Sequence, residues 1–282
     1  MTSKNQTHRS AVFSRLFGKN IARARQLVAR GLIKLNIAPN ALTLVGLILT
    51  LCAAFFLARG AGDKIGNPVS PQHSWGGFIA GLILILAAAC DMLDGAVART
   101  TKKCSRLGAF LDSACDRLAD GAIFTGILIY YLQHPNLPHG ATFATLTMIA
   151  LINAQTTSYI KARAENFIQN CSVGYWQRGE RIAAILIGLF SGHIATVMSL
   201  LAIMPAFTVL RRFLFARQQI YRLENHLPLL DPNAPLKGIW KLALWRSPRG
   251  TWQYDLIAAA NILTIIMIDA QNLRIADFLP AW

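Results

Sequence analysis

Four long stretches of the chain carry no Asp, Glu, Lys or Arg: residues 41–58 (ALTLVGLILTLCAAFFLA), 74–90 (SWGGFIAGLILILAAAC), 141–160 (ATFATLTMIALINAQTTSYI) and 182–210. Three are close to the ~20 apolar residues an α-helix needs to cross a bilayer, and the fourth is longer. The runs are continuous rather than alternating, which excludes a membrane β-barrel. A fifth apolar region, about 108–133, is interrupted by Asp112, Asp116 and Asp120 in its first half. Within the longest run, Ser191-Gly192-His193 reads as a tight turn, giving helices over about 176–190 and 194–216. The pattern therefore predicts an all-α polytopic membrane protein with a six-transmembrane-helix core. Ahead of that core, Phe13, Leu16, Phe17, Ile21, Leu27, Val28, Leu32 and Leu35 recur at roughly helical spacing among Arg and Lys, the mark of an amphipathic helix on a membrane surface. Pro39-Asn40 breaks that helix, and Asn40 is a candidate N-cap for the first span. After the core, residues 256–268 (LIAAANILTIIMI) suit either a seventh crossing or a lipid-facing surface helix. The organisation expected is a cytoplasmic amphipathic segment (1–38), a six-helix domain (39–216) and a C-terminal extension (217–282).

Charge orients this scheme. The net charge is +15, which by itself could serve nucleic acid or an anionic membrane. If the N-terminus is cytoplasmic, segments 1–39, 99–107, 161–181 and 211–250 face the cytoplasm and hold 24 of the 28 Lys and Arg residues. Such asymmetry is the positive-inside pattern, so the basicity reports topology and anionic lipid, not nucleic acid. A single crossing over 182–210 would export the basic 211–250 segment, which favours the division at 191–193. A bacterial-type inner membrane with a cytoplasmic active site is the location expected. The first apolar run lies behind a basic segment and is long enough to span, unlike a cleavable leader. The five Cys form no CxxC pair and the six His no metal-ligand spacing.

The candidate chemistry lies in DMLDGAVARTTKKCSRLGAFLDSACD, residues 91–116. Asp91 and Asp94 are spaced i,i+3, and Asp112 and Asp116 i,i+4, so each pair shares a helix face. The first pair ends the second span and the second begins the third. An antiparallel hairpin through 99–107 would join them at the cytoplasmic boundary. Two carboxylates ~6 Å apart repel by about 3 kcal/mol at an effective dielectric near 20, so the array calls for cations. Oxygen ligands alone favour hard ions such as magnesium or manganese, which keep coordination positions for water and phosphate. Gly95 permits close approach beside Asp94, Arg99 offers a guanidinium fork to a phosphate, and Gly108 allows tight helix contact. Lys102, Lys103 and Arg106 add positive potential.

The pattern D-x2-D-G-x2-A-R-x8-G-x3-D-x3-D resembles the signature of the CDP-alcohol phosphotransferases, and every fixed position matches: Asp91, Asp94, Gly95, Ala98, Arg99, Gly108, Asp112 and Asp116. The resemblance covers roughly residues 20–216. It implies a six-helix core with an N-terminal surface helix, two divalent cations held by the four Asp, and a CDP-linked donor whose lipid-side phosphorus is attacked by an acceptor hydroxyl with release of CMP. Asp116 is the general base in such a scheme, and Gly95, Ala98, Arg99 and Gly108 line the CDP site. A homodimer is also implied.

A second, basic cluster bears on the acceptor. Ser158, Lys161, Arg163, Arg181 and Arg212 fall at predicted cytoplasmic helix ends, where they would suit a phosphorylated acceptor or serve simply as flanking charge. SYIKARAE (158–165) followed by ERI (180–182) resembles the bacterial phosphatidylinositol-phosphate synthase branch, and implies an inositol-phosphate pocket of Ser158, Lys161, Arg181 and Arg212. The expected reaction transfers a phosphatidyl group from CDP-diacylglycerol to inositol 1-phosphate. Glycerol 3-phosphate is the alternative acceptor, as in phosphatidylglycerophosphate synthase. From other classes, a divalent-cation transporter would place its charges near the midplane instead of at helix ends, and an inactive scaffold gives no reason for a complete Asp set.

Overall fold

The computed structural model describes residues 25–62, 75–101, 105–230 and 252–270, and every regular element among them is helical. We number them α1 (25–34), α2 (Pro39–Gly60), α3 (Gly76–Thr100), α4 (Arg106–Gln133), α5 (Gly140–Ala164), α6 (Arg178–Ser191), α7 (Ile194–Glu224) and α8 (Trp252–Met267). Residues 1–24 of the expected amphipathic segment, Lys102 and Lys103, and most of the tail lie outside the described residues.

Helix ends follow local chemistry. Pro39 occupies the first turn of α2, where its missing N–H is not needed, and Ala38 is the N-cap; Asn40 is not the cap expected from sequence. Instead Ser105 caps α4, its Oγ accepting from the Gly108 N–H at 2.9 Å. The long apolar run of 182–210 does break, because Gly192 takes a left-handed φ of 73° and the His193 N–H turns back to the Gly188 carbonyl. Two helices therefore replace one.

Three helices, α2, α3 and α7, are long and apolar enough to cross a membrane. α4 carries the Asp residues, α5 is diluted by Thr, Asn and Gln, and α6 has 14 residues. Ile48, Phe55, Leu86, Ile152, Ile203 and Phe207 stand exposed on the outside of the bundle. The inside is held by Leu57, Ile123, Phe124, Ile127, Ile185, Met198 and Leu201, all 2% exposed or less. Polar groups inside bond across helices: the Asn153 amide donates to the Ala202 carbonyl at 2.7 Å and that of Gln155 to the Arg117 carbonyl at 3.0 Å.

α2 is the central strut, packing on both α3 and α4; α4 packs on α5, α5 on α7, and α6 on α3, α7 and α8. α3 and α4 do not pack along their lengths, yet their acidic ends come together as the expected hairpin requires. They meet at their acidic ends and diverge from there, with α2 bridging them. α1 lays Ala29, Leu32 and Ile33 against Leu42, Leu93, Ala96 and Val97 at that same end.

The α2–α4 crossing depends on Gly126. A Cβ there would lie 2.5 Å from the Ala54 carbonyl oxygen, a backbone atom that cannot swing aside. Gly126→Val should separate the helices at a cost of about 1–3 kcal/mol. A lower thermal midpoint in detergent is expected; an unchanged midpoint would show that the crossing tolerates the added bulk.

Candidate active site

Helix geometry carries three carboxylates into one place. Asp91, near the end of α3, and Asp112 and Asp116, one turn apart on α4, each present an oxygen within 4.8 Å of the others, all half-buried. Asp94 stands outside that set. Its Oδ2 accepts from the Thr43 hydroxyl on α2 at 2.6 Å, and its Oδ1 from the Gly95 N–H. Asp94, 6% exposed, thus links α3 to α2 beside the cluster, and three of the four expected carboxylates converge in this arrangement.

Two arginines from the first turn of α6 balance the charge. Arg178 Nη1 lies 3.0 Å from Asp91 Oδ2 and 2.7 Å from Asp116 Oδ1, while its Nε lies 3.4 Å from Asp120 Oδ1. Arg181 Nη2 donates to Asp120 Oδ2 at 2.6 Å, with both side chains almost fully buried. Sequence reasoning passed over Arg178 and Asp120. The signals were present: Asp112, Asp116 and Asp120 repeat at i,i+4, and Arg178 stands i−3 from Arg181, on the same helix face.

The Arg99 guanidinium folds over Gly95, where a Cβ would come within 3.2 Å of its Nη1; Arg99 is exposed and Ala98 half-buried beside it. At Gly108 a Cβ would meet Ser105 Oγ at 3.1 Å and Asn40 Oδ1 at 3.2 Å, so the start of α4 sits close against the start of α2. In the basic cluster, Lys161 pairs with Glu165 at 4.0 Å and its side chain is 41% exposed. Ser158 is half-buried one turn before it on α5. Arg212, 3% exposed, donates from Nε to the Val173 carbonyl at 2.9 Å and from Nη1 to that of Thr157 at 2.7 Å. It holds the 165–177 loop onto α5 and α7. Lys161 and Arg212 both act electrostatically on Cys171, whose thiol is pushed up chiefly by burial. Arg181 differs from the sequence expectation in facing Asp120, which joins it to the acidic cluster.

A cavity of about 450 Å³ runs inward from the carboxylates. Asp91, Asp116 and Arg178 line it at one end; Thr50, Leu84, Ile123 and Leu186, each about two helical turns deeper, line it at the other. It fills the space left where α3 and α4 diverge. An acidic mouth on an apolar shaft suits a molecule with a polar head and a lipid tail.

The donor set also fits a hard divalent cation. Three oxygens converge within ligand reach of one another, no His or Cys ligand joins them among the described residues, and the Arg178 guanidinium already shows that positive charge is accommodated there.

The family model described as CDP-alcohol phosphatidyltransferase matches residues 36–222. The chain belongs to this family. Among phosphatidyltransferase relatives, the archaetidylinositol phosphate synthase of Pyrococcus horikoshii is 32% identical over 194 residues, which is 68% of this chain and 90% of that one. The phosphatidylinositol phosphate synthase of Mycobacterium tuberculosis is 33% identical over 168 residues, 59% of this chain and 69% of the relative. Crystal structures of the M. tuberculosis phosphatidylinositol phosphate synthase resemble the fold at 28% identity. The complex with CDP-DAG has a TM-score of 0.59 and covers 69% of this chain and 94% of that one. The complex with manganese and citrate has a TM-score of 0.58 and covers 68% and 88%. The 36–222 match takes in the carboxylates, Arg178 and Arg181 of this phosphatidyltransferase, and leaves α8 outside.

Asp120→Asn would leave Arg181 buried without its counter-charge. A destabilisation of about 3–5 kcal/mol is expected, read as a fall in the thermal midpoint in detergent. A midpoint equal to the wild type would mean that Arg181 finds another acceptor.

Proposed function

We propose that the protein transfers a phosphatidyl group from CDP-diacylglycerol to a phosphorylated polyol, inositol 1-phosphate in preference to glycerol 3-phosphate, releasing CMP. The observation that carries this reading is the Asp91–Asp112–Asp116 cluster at the mouth of an apolar cavity. Relatives named phosphatidylinositol phosphate synthase, one crystallised with CDP-DAG and also with manganese, support the donor, the metal and the acceptor class. Nothing in the site favours glycerol 3-phosphate. The family match argues against a cation transporter.

Two divalent cations, magnesium or manganese, would be held by Asp91, Asp94, Asp112 and Asp116, with Asp94 released from Thr43 to join the others. When bound they supply charge neutralisation at the diphosphate. The chain's own residues do the remainder. Gly95, Ala98, Arg99 and Gly108 seat the CDP moiety, the exposed Arg99 being able to reach a phosphate. The cavity takes the lipid and excludes water. Ser158, Lys161, Arg181 and Arg212 serve the acceptor phosphate: Lys161, the more exposed of the cations, is the one that contacts it, whereas the buried Arg212 keeps the pocket loop in position. Asp116 accepts the proton of the attacking hydroxyl as the new P–O bond forms on the lipid-side phosphorus and the bond to the CMP oxygen breaks. For that, Arg178 must give up its contact with Asp116, since a protein carboxylate cannot hold the guanidinium and take the proton at full basicity.

In the membrane, α2 to α7 form a six-span core comprising residues 39–216, with the amphipathic segment 1–38 on the cytoplasmic surface and the carboxylates facing the cytoplasm. The positive-inside distribution supports this orientation. Family resemblance supports a homodimer.

CMP release should require CDP-diacylglycerol, manganese or magnesium, and a phosphorylated polyol, and should be fastest with inositol 1-phosphate. Absence of CMP release with every such acceptor sinks the proposal. Asp116→Asn should lower turnover by about 10²–10⁴-fold with an unchanged thermal midpoint; full activity refutes the base. Lys161→Ala should raise the acceptor KM more than the donor KM, and equal rises would count against the pocket.

A further inference from the structure

The first turn of α6 carries Arg178 and Arg181, yet its own helix start is weak. Gln177 at the N-cap makes no side-chain bond to the turn, leaving it without the usual local anchor. Arg178 and Arg181 are i,i+3 and face the carboxylates. Glu180, two residues on from one and one before the other, points to the opposite side of the helix. There its Oε1 accepts from the Tyr254 hydroxyl of α8 at 2.6 Å. Tyr254 also packs its ring on Tyr175, 5.3 Å between centroids, in the loop leading into α6.

α8 can bear such a role because it is fixed at its other end. The Thr196 hydroxyl near the start of α7 donates to the Ile268 carbonyl at 2.6 Å and accepts from the Ala270 N–H at 3.0 Å. Ile265, 1% exposed, enters the main core. α8 therefore runs beside α6 in the same direction, from its first turn to the α6–α7 turn. Its 16 residues span about 24 Å, much the same depth as α6. That course is a bundle helix rather than one lying flat on a surface.

We propose that α8, outside the family-matched region, positions the first turn of α6, with Tyr254 acting through Glu180 to fix the rotation that aims Arg178 and Arg181 at the site. The proposal rests on the functional reading above and adds a positioning residue to it. Tyr254 touches no reacting atom. Without its hydroxyl, α6 keeps its arginines but loses this hydrogen bond on the opposite side, and the turn is held less firmly about its axis.

Tyr254→Phe removes one hydrogen bond to a carboxylate while keeping the ring contact. The acceptor KM should rise about three- to tenfold, less than the full worth of a hydrogen bond to a carboxylate because the ring contact remains, and should rise more than the KM for CDP-diacylglycerol. Amide hydrogen exchange over residues 178–182 should quicken, and that over α2 and α4 should not. Thr196→Val removes only part of the far anchorage of α8, since Ile265 stays in the core, and should raise the acceptor KM less than Tyr254→Phe does. An unmoved acceptor KM in an active Tyr254→Phe variant overturns the proposal. So does an equal rise of both KM values, or a Thr196→Val effect as large as that of Tyr254→Phe. If the wild type releases no CMP, the functional reading falls, and exchange over 178–182 in Tyr254→Phe separately decides whether α8 holds the turn: unchanged exchange overturns it.

Discussion

Asp91, Asp112 and Asp116 press their oxygens into a space under five ångströms across, with Asp120 one turn further along α4. Left alone, such an array would force α3 and α4 apart. Arg178 and Arg181 hold it together, reaching in from α6, a helix more than sixty residues later in the chain. Two guanidinium groups against four carboxylates leave an excess of negative charge, and that excess is what a hard cation would satisfy. α3 and α4 meet at their acidic ends because Arg178 bridges Asp91 on one and Asp116 on the other. α2 bridges them through small residues, and the gap between them becomes the cavity.

In this bundle, polar groups join helices that hydrophobicity alone would not distinguish. Asp94 is bonded to Thr43, Asn153 to the α7 backbone, Gln155 to the α4 backbone, and Arg212 to the carbonyls of Thr157 and Val173. In a lipid surround apolar side chains gain little by choosing one apolar neighbour over another, so these bonds and close contacts such as Gly126 on Ala54 set the register. The residues that lower the hydropathy of α4 and α5 are thus the ones that build the site and its supports.

α8 extends this logic beyond the family-matched region. It is attached at both ends by hydrogen bonds, at Glu180 and at Thr196, and one of those attachments lies back to back with the arginines that meet the carboxylates. A structural support and an active-site wall are in this way two faces of a single helical turn.

The sequence by itself determined the helical class, the division at Gly192, and the four carboxylates in their i,i+3 and i,i+4 pairs. Each of these is encoded over a few neighbouring residues, through hydropathy, backbone preference or helical spacing. It also supplied Lys161, Arg181 and Arg212 as candidates, because charge at a helix end is visible in a string of letters. Only the tertiary structure decided which carboxylates converge, that Asp94 turns to Thr43, that Arg178 and Asp120 complete the charge balance, that Arg212 is tied to main-chain carbonyls, and that residues 256–268 run beside α6. Those outcomes depend on which helix lies against which and at what rotation, a choice made by contacts between residues 39 to 87 positions apart, where local pattern carries no information.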